Sequence, residues 1–359
     1  MFTPGRLSLA RRRRGLTKKG FADAIDVTPH TVLRYESGDI DPPDEMIAKF
    51  SAVLDFPVQF FHEPDVEEVV PDAASFRGLT AMSAKDRDSA LAAGTISYLL
   101  SDWVDQNFDL PAPQLIDLSD DKPDVAARSL REEWALGERP VRNMVHLLEA
   151  KGIRVFSLAE NTRTVDAFSV WRGERPYVFL NMMKSPEHSR FDAAHELGHL
   201  VLHKHGGPRG RRAEDDANQF ASAFLMPEED VRAQIPRVHA LNQIIVAKKR
   251  WLVSVMALTY RLHALQILSD WQYRMFCIQA TDAGYRTSEP FGIAREQSII
   301  WQKVLTTLWS EKITKKEIAD RLHVPQKEIE NVLFGLANML SNSAGSRPSR
   351  NQDGLKLIS

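Results

Sequence analysis

The chain has 359 residues, 43% of them hydrophobic and 26% charged, with a net charge of −2, the profile of a globular protein long enough for two or three domains. That balance excludes a broadly basic nucleic-acid coat, so any basic surface must be local, and the longest apolar run, Trp251 to Tyr260, is too short for a membrane span. The single cysteine, Cys277, excludes an internal disulfide or a cysteine-rich metal site, and the early arginines have no apolar run behind them, so no signal peptide is expected and a cytoplasmic location is.

Residues 1 to about 60 read as five short helices. Thr3-Pro4 starts the first and Gly15 stops it; Thr17 caps a second with Phe21, Ala22 and Ile25 facing inward. Asp26-Val27 makes a tight turn, Thr28-Pro29 starts a third helix, and Gly38 ends it. Two short helices joined by so brief a turn, the second polar on its outer face, suggest a helix-turn-helix. Seven basic residues lie between 6 and 19 with no acid among them, Lys18 included, and are expected to meet phosphates.

An acidic stretch with Pro64 and Pro71 reads as a linker, its acids placed to touch that basic face. Helices are expected over Ala81–Phe108, Val125–Leu136 and Val141–Lys151. Three short strands follow, Ile153–Leu158, Val165–Trp171 and Tyr177–Asn181, with polar turns at Glu160–Arg163 and Arg172–Arg175. They are expected to form a small antiparallel sheet, one edge of which can hold an added peptide strand.

The densest chemistry lies between Arg190 and Pro227. In Ala194-His195-Glu196-Leu197-Gly198-His199 two histidines four residues apart sit one turn along an α-helix and only about 40° around it, so both imidazoles reach one metal ion. Glu196 faces the same cavity without being forced onto the ion, placed to take a proton from a metal-activated water. Ser185-Pro186-Glu187 gives the helix a capping hydroxyl, a first-turn proline and a first-turn acid. On the next helix, Arg212 to Met226, Glu214 lies about 50° from the apolar stripe while Asp215 and Asp216 project away. Glu214 is therefore the expected third ligand. His203, one turn beyond His199, is a rival ligand, a support behind His199 or simply polar surface.

The glycine-rich segment 204–212 reads as a solvated loop, with a flap or a contact for an acidic substrate as the alternatives. Asn242 to Leu268 reads as one amphipathic helix carrying Tyr260 and His263, expected in core or surface rather than at the metal. Near the end, Thr314-Lys315-Lys316-Glu317 opens a short helix, Val324-Pro325 turns, and a second runs to Leu336. That outline again looks like a helix-turn-helix; a plain helical hairpin that packs or dimerises is the expectation. The Ser-, Asn-, Gly- and Arg-rich tail from 341 is expected to be disordered.

Two resemblances add to this reading. R-F-D-A-A-H-E-L-G-H-L-V-L-H followed by E-D-D-A-N-Q-F-A-S-A-F-L-M-P resembles the ImmA/IrrE metallopeptidases, bacterial and phage zincins that cleave helix-turn-helix repressors, over roughly Val141 to Leu262. It implies Zn2+ on His195, His199 and Glu214, Glu196 as catalytic base, and a regulatory protein as substrate. R-G-L-T-K-K-G-F-A-D-A-I-D-V-T-P-H-T-V-L-R-Y-E-S-G resembles the phage-repressor (XRE-type) DNA-binding domain. It implies that the helix at 28–36 enters the major groove with Thr28, His30, Thr31 and Arg34 as contacts, on an operator bound through a dimer.

The expected fold is mainly α (α+β). An all-α helix-turn-helix domain occupies 1–61 and a linker 62–75. A zincin-like domain with its small sheet spans 76–268, a helical C-terminal domain 269–340 and the tail 341–359. The expected function is a DNA-binding transcriptional regulator with zinc-dependent endopeptidase activity; the alternatives are a regulator whose zinc domain senses without hydrolysis and an antitoxin-like scaffold.

Overall fold

A computed structural model describes residues 1–69, 83–158, 167–204 and 210–337. The expected turn at Glu160–Arg163, the centre of the glycine-rich loop and the tail lie outside the described residues. In chain order the helices before the sheet are α1 (Pro4–Arg13), α2 (Lys18–Ile25), α3 (Pro29–Ser37), α4 (Asp44–Leu54), α5 (Ala84–Asn107), α6 (Pro123–Glu133) and α7 (Met144–Ala150). Strands β1 (Arg154–Ser157), β2 (Ala167–Arg172) and β3 (Arg175–Leu180) follow. Then come α8 (Pro186–Leu202), α9 (Arg211–Leu225), α10 (Glu228–Gln234), α11 (Leu241–Ala247), α12 (Val255–Ala264), α13 (Asp270–Asp282), α14 (Ile299–Ser310), α15 (Lys315–Arg321) and α16 (Gln326–Leu333). No described helix is long and apolar enough to cross a membrane.

The chain forms two compact units. One comprises Met1–Leu110, Phe156–Asp166 and Ile299–Ser359; the other comprises Pro111–Val155 and Ala167–Ser298.

The first unit bears out the expected caps. The Thr17 hydroxyl accepts from Gly20 N at 3.0 Å and that of Thr28 from Thr31 N at 3.1 Å. Gly15 and Gly38, at φ 63° and 78°, supply the left-handed residues that stop α1 and α3. Phe50 centres an aromatic core, its ring 5.7 Å from Phe21, 5.6 Å from Tyr35 and 6.1 Å from Phe61. The expectation for the basic run needs correction. Arg6, Arg11 and Arg13 are buried. Arg6 donates to the Pro64 carbonyl at 2.8 Å, Arg11 pairs with Glu36 and Arg13 with Glu328, while Arg12 pairs with Glu68. A guanidinium taken out of water must find acceptors within the fold, and these arginines have found them. Lys18 and Lys19 are the exposed basic residues left in the run.

β2 and β3 belong to the second unit, in a mixed sheet of order β1-β3-β2. The expected antiparallel pairing holds for β2 and β3, in a register that sets Ala167 opposite Leu180 and Arg172 opposite Arg175. β3 is thus central, and β2 lies at an edge. α8 packs on β2, β3 and α9, almost every residue of it buried, the polar Asp192, His195, Glu196 and His199 included. The helix expected over Asn242–Leu268 is interrupted. α11 ends in a 3₁₀ turn at Lys248–Arg250, Leu252 adopts φ 58°, and the Ser254 hydroxyl caps α12 by accepting from Ala257 N at 3.0 Å. A backbone in the left-handed region breaks the helix, and a serine two residues later restarts it.

Candidate metal centre

The starting helix is built as its sequence asks. Ser185 Oγ accepts from His188 N at 3.2 Å, Pro186 stands in the first turn, and Glu187 adds an acid there. His195 and His199 follow in its second half, with side chains only 1% and 5% exposed. α9 crosses close by because residue 198 is glycine. A Cβ there would stand 3.0 Å from Phe220 Cδ1 and 3.3 Å from Ala217 Cα. That close approach carries Glu214, in the first turn of α9, to the two histidines.

The three donors converge. His195 Nε2 lies 3.1 Å from His199 Nε2; Glu214 Oε2 is 3.3 Å from His195 Nε2 and Oε1 is 3.5 Å from His199 Nε2. Neighbouring corners of a tetrahedron with arms of about 2.0–2.1 Å, the length of zinc bonds to imidazole and carboxylate, are about 3.3 Å apart. The trio fits one such ion, and among the described residues it is a cluster of His and Glu donors without sulfur, as zinc accepts.

The electrostatics suit a cation. Burial pushes the His199 imidazole down to about 4; the Glu214 hydrogen bond opposes this and the nearby His195 charge adds to it. His199 is therefore neutral near pH 7 and has a lone pair to offer. Burial alone would raise the Glu214 carboxyl, but its contacts with the His195 and His199 imidazoles outweigh it and hold the group at about 2. Glu214 is thus a carboxylate, with an oxygen facing each imidazole.

The outward nitrogens of the histidines are also held. His195 Nδ1 is 3.1 Å from Asn218 Oδ1, on the next turn of α9 after Glu214. An amide oxygen only accepts, so Nδ1 carries the proton and Nε2 keeps the lone pair. His199 Nδ1 is 3.0 Å from His203 Nδ1. His203 therefore stands behind His199 and outside the trio.

Glu196 is fully buried. Its Oε2 accepts from Ser169 Oγ at 2.7 Å, and the same hydroxyl is 3.3 Å from the Glu196 carbonyl. Ser169 belongs to β2, so the edge strand holds the carboxylate in place. Sequence reading missed Ser169 and the role of Asn218. The only trace of the first was a hydroxyl between Phe168 and Val170 in the strand. His263 pairs with Asp270 at 2.8 Å and stacks on Tyr273. The Tyr260 hydroxyl is pushed up by burial and by the Asp215 and Asp124 charges.

In the first unit α3 turns His30, Leu33 and Arg34 outward, and Thr28 is exposed at its start. Thr31 is half-buried, its hydroxyl 2.9 Å from that of Thr28. Lys18 is exposed at the start of α2, 3.7 Å from Glu36. The structure thus gathers the five sequence-named positions on two adjoining helix starts and one outer face.

Residues 148–263 match the family model described as Peptidase_M78, IrrE N-terminal-like domain, and residues 7–61 match HTH_3, helix-turn-helix. The chain is a fusion of these two kinds of domain. It joins a DNA-binding regulator to a peptidase-like domain whose family implies a metal cofactor. No curated protein matches the chain.

Proposed function

We propose that the chain is a transcriptional regulator that hydrolyses peptide bonds. In this reading His195, His199 and Glu214 hold Zn2+ and Glu196 is the general base. The observation that carries it is the convergence of two neutral-capable imidazoles and a carboxylate at tetrahedral spacing, with a buried second carboxylate one residue from the first ligand. Zinc, when bound, supplies a Lewis acid for the scissile carbonyl and for water.

The chain's own residues do the rest. Asn218 keeps the His195 lone pair on Nε2, and His203 orients His199 from behind. Glu196, fixed by Ser169, accepts the water proton and delivers it to the departing amine. Its burial keeps bulk water from competing for that proton. β2 lies at the edge of the sheet and carries Ser169, so a substrate added as a strand there would lie beside Glu196. The substrate class is a regulatory protein, a helix-turn-helix repressor in the first instance. On the DNA side, Lys18 meets phosphate while Thr28, His30, Thr31 and Arg34 read bases; operator binding proceeds through a dimer, and the protein works in the cytoplasm.

Metal analysis of the purified wild type beside His199→Ala, Glu214→Ala and Glu196→Gln tests this. About one zinc per chain is expected in the wild type and in Glu196→Gln, and none in the two ligand variants. Cleavage of a peptide library, followed by mass spectrometry, should then be lost in Glu196→Gln alone among the metal-loaded proteins. Metal loading without any cleavage would favour the reading in which the zinc domain senses rather than cuts.

A further inference from the structure

The last three described helices repeat the first three at a constant offset of 297 residues. Thr17, Lys18, Lys19, Ala22, Asp23, Val27 and Gly38 recur as Thr314, Lys315, Lys316, Ala319, Asp320, Val324 and Gly335 without a gap. The helix bounds follow the same offset: α1 and α14 end at Arg13 and Ser310, α2 and α15 start at Lys18 and Lys315, and α3 and α16 start at Pro29 and Gln326.

The backbone carries the repeat further than the side chains do. Left-handed residues fall at Gly15, Asp26 and Gly38 with φ 63°, 60° and 78°, and at Lys312, His323 and Gly335 with φ 61°, 52° and 69°. Lys312 and His323 adopt a conformation that side chains other than glycine avoid, so these matches are not what any helical hairpin would give. Thr314 Oγ accepts from Glu317 N at 3.2 Å as Thr17 Oγ does from Gly20 N at 3.0 Å. Val324 N closes on the Ala319 carbonyl at 3.0 Å, as Val27 N does on that of Ala22. Leu7, Phe21, Val32 and Tyr35 are buried, and so are Val304, Ile318, Ile329 and Val332. The hairpin expected from sequence does pack, α16 lying on α5, and it carries this repeated backbone in addition.

The arginine run of α1 is not repeated, Leu308, Trp309, Ser310 and Glu311 standing at its four positions, and the outer face of the third helix departs as well. Thr28, His30, Thr31 and Arg34 are replaced by Pro325, Lys327, Glu328 and Asn331. Glu328 is fully buried: its Oε2 takes Arg13 Nε at 2.6 Å and its Oε1 takes Arg14 Nη1 at 2.6 Å. α16 packs on α5, whose Ser89 hydroxyl donates to the Arg13 carbonyl at 3.1 Å. Beside it Gln326 donates to the Glu330 carboxylate at 2.8 Å, so the helix start carries this second acid next to the exposed Lys327. A carboxylate buried against two guanidiniums commits this face to protein.

We propose that residues 299–335 are a second helix-turn-helix domain whose third helix binds protein instead of DNA, its partner being α1 of the first domain through Glu328 on Arg13 and Arg14. DNA reading is left to α3, and two arginines of α1 are committed to holding the repeat. The proposal goes beyond the peptidase reading and stands whether or not the zinc site cuts.

Two measurements on the full-length chain test it. The surface double variant Lys327→Ala/Asn331→Ala and the wild type are titrated at low salt against a pool of random-sequence 24-base-pair duplexes. Affinities within about twofold are expected; a larger fall would mean that α16 touches DNA and would overturn the proposal. In hydrogen exchange, Glu328→Gln is expected to speed exchange in α1 and α16 together by about tenfold or more, with α8 and α9 unchanged. Unchanged protection of α1 would overturn it. Arg14→Gln removes one arm of the same pair and serves as the second variant if Glu328→Gln does not fold.

Discussion

Ser169 Oγ donates to Glu196 Oε2 at 2.7 Å, and both side chains are closed off from solvent. A strand hydroxyl thus fixes the carboxylate that the proposed mechanism uses as its base. Hydrogen bonds to charged groups contribute roughly 1.5–3 kcal/mol, and each 1.36 kcal/mol is about tenfold in rate. Ser169→Ala is therefore expected to lower kcat about 10- to 100-fold on a peptide that the wild type cleaves, with KM and zinc content little changed and Ser169→Thr restoring much of the loss. A matching rise in KM, or a loss of zinc, would show that the serine supports the fold and not the base.

Asn218 makes a separable contribution. It accepts from His195 Nδ1 at 3.1 Å and so sets which nitrogen faces the ion. Removing such an outer partner typically weakens metal binding 10- to 100-fold. Asn218→Ala should do so in a chelator competition, yet reach near wild-type turnover once enough zinc is supplied. Unchanged zinc affinity would remove Asn218 from the site.

Gly198 is where packing meets chemistry. The alanine Cβ would press on Phe220 Cδ1 at 3.0 Å and Ala217 Cα at 3.3 Å. Overpacking of this kind costs about 1–3 kcal/mol, and the better helix propensity of alanine returns about 1 kcal/mol. Gly198→Ala should lower the Tm of the metal-free chain by a few degrees and weaken zinc binding, because α9 moves outward with Glu214. A chain with the wild-type Tm and zinc affinity would show that another contact sets the position of α9.

The sequence made the metal trio and the first helix-turn-helix legible because both rest on local periodicity. Two histidines at one helical turn, an acid near an apolar stripe and threonines before short helices are all visible within a few residues. What it hid was nonlocal. Ser169 meets Glu196 across 27 positions and Arg13 meets Glu328 across 315, and nothing in either local pattern names the partner. The arginine run shows the same limit, since a basic stretch reads as a solvated surface until distant acids are found against it. The break between α11 and α12 was missed because Leu252, at φ 58°, is a residue type that rarely adopts that backbone and carries no turn signal.

His199 gives the chain a pH dependence whose sign can be derived. Its imidazole titrates at about 4 in the fold against about 6.5 when unfolded. Between those values the unfolded chain binds the proton and the folded chain does not, so stability rises with pH across that window and is lost as pH falls through it. Glu214 acts next and in the same direction. Held at about 2 against an ordinary 4.5, it contributes stability above 4.5 that is lost as pH falls toward 2. For the metal-free chain, Tm is expected to decline from pH 6.5 to 4 more steeply in the wild type than in His199→Gln, which has no imidazole to protonate. Thermal scans of both proteins at half-unit steps decide it; a constant gap in Tm between them across pH 4 to 6.5 would show that His199 does not titrate low in the fold.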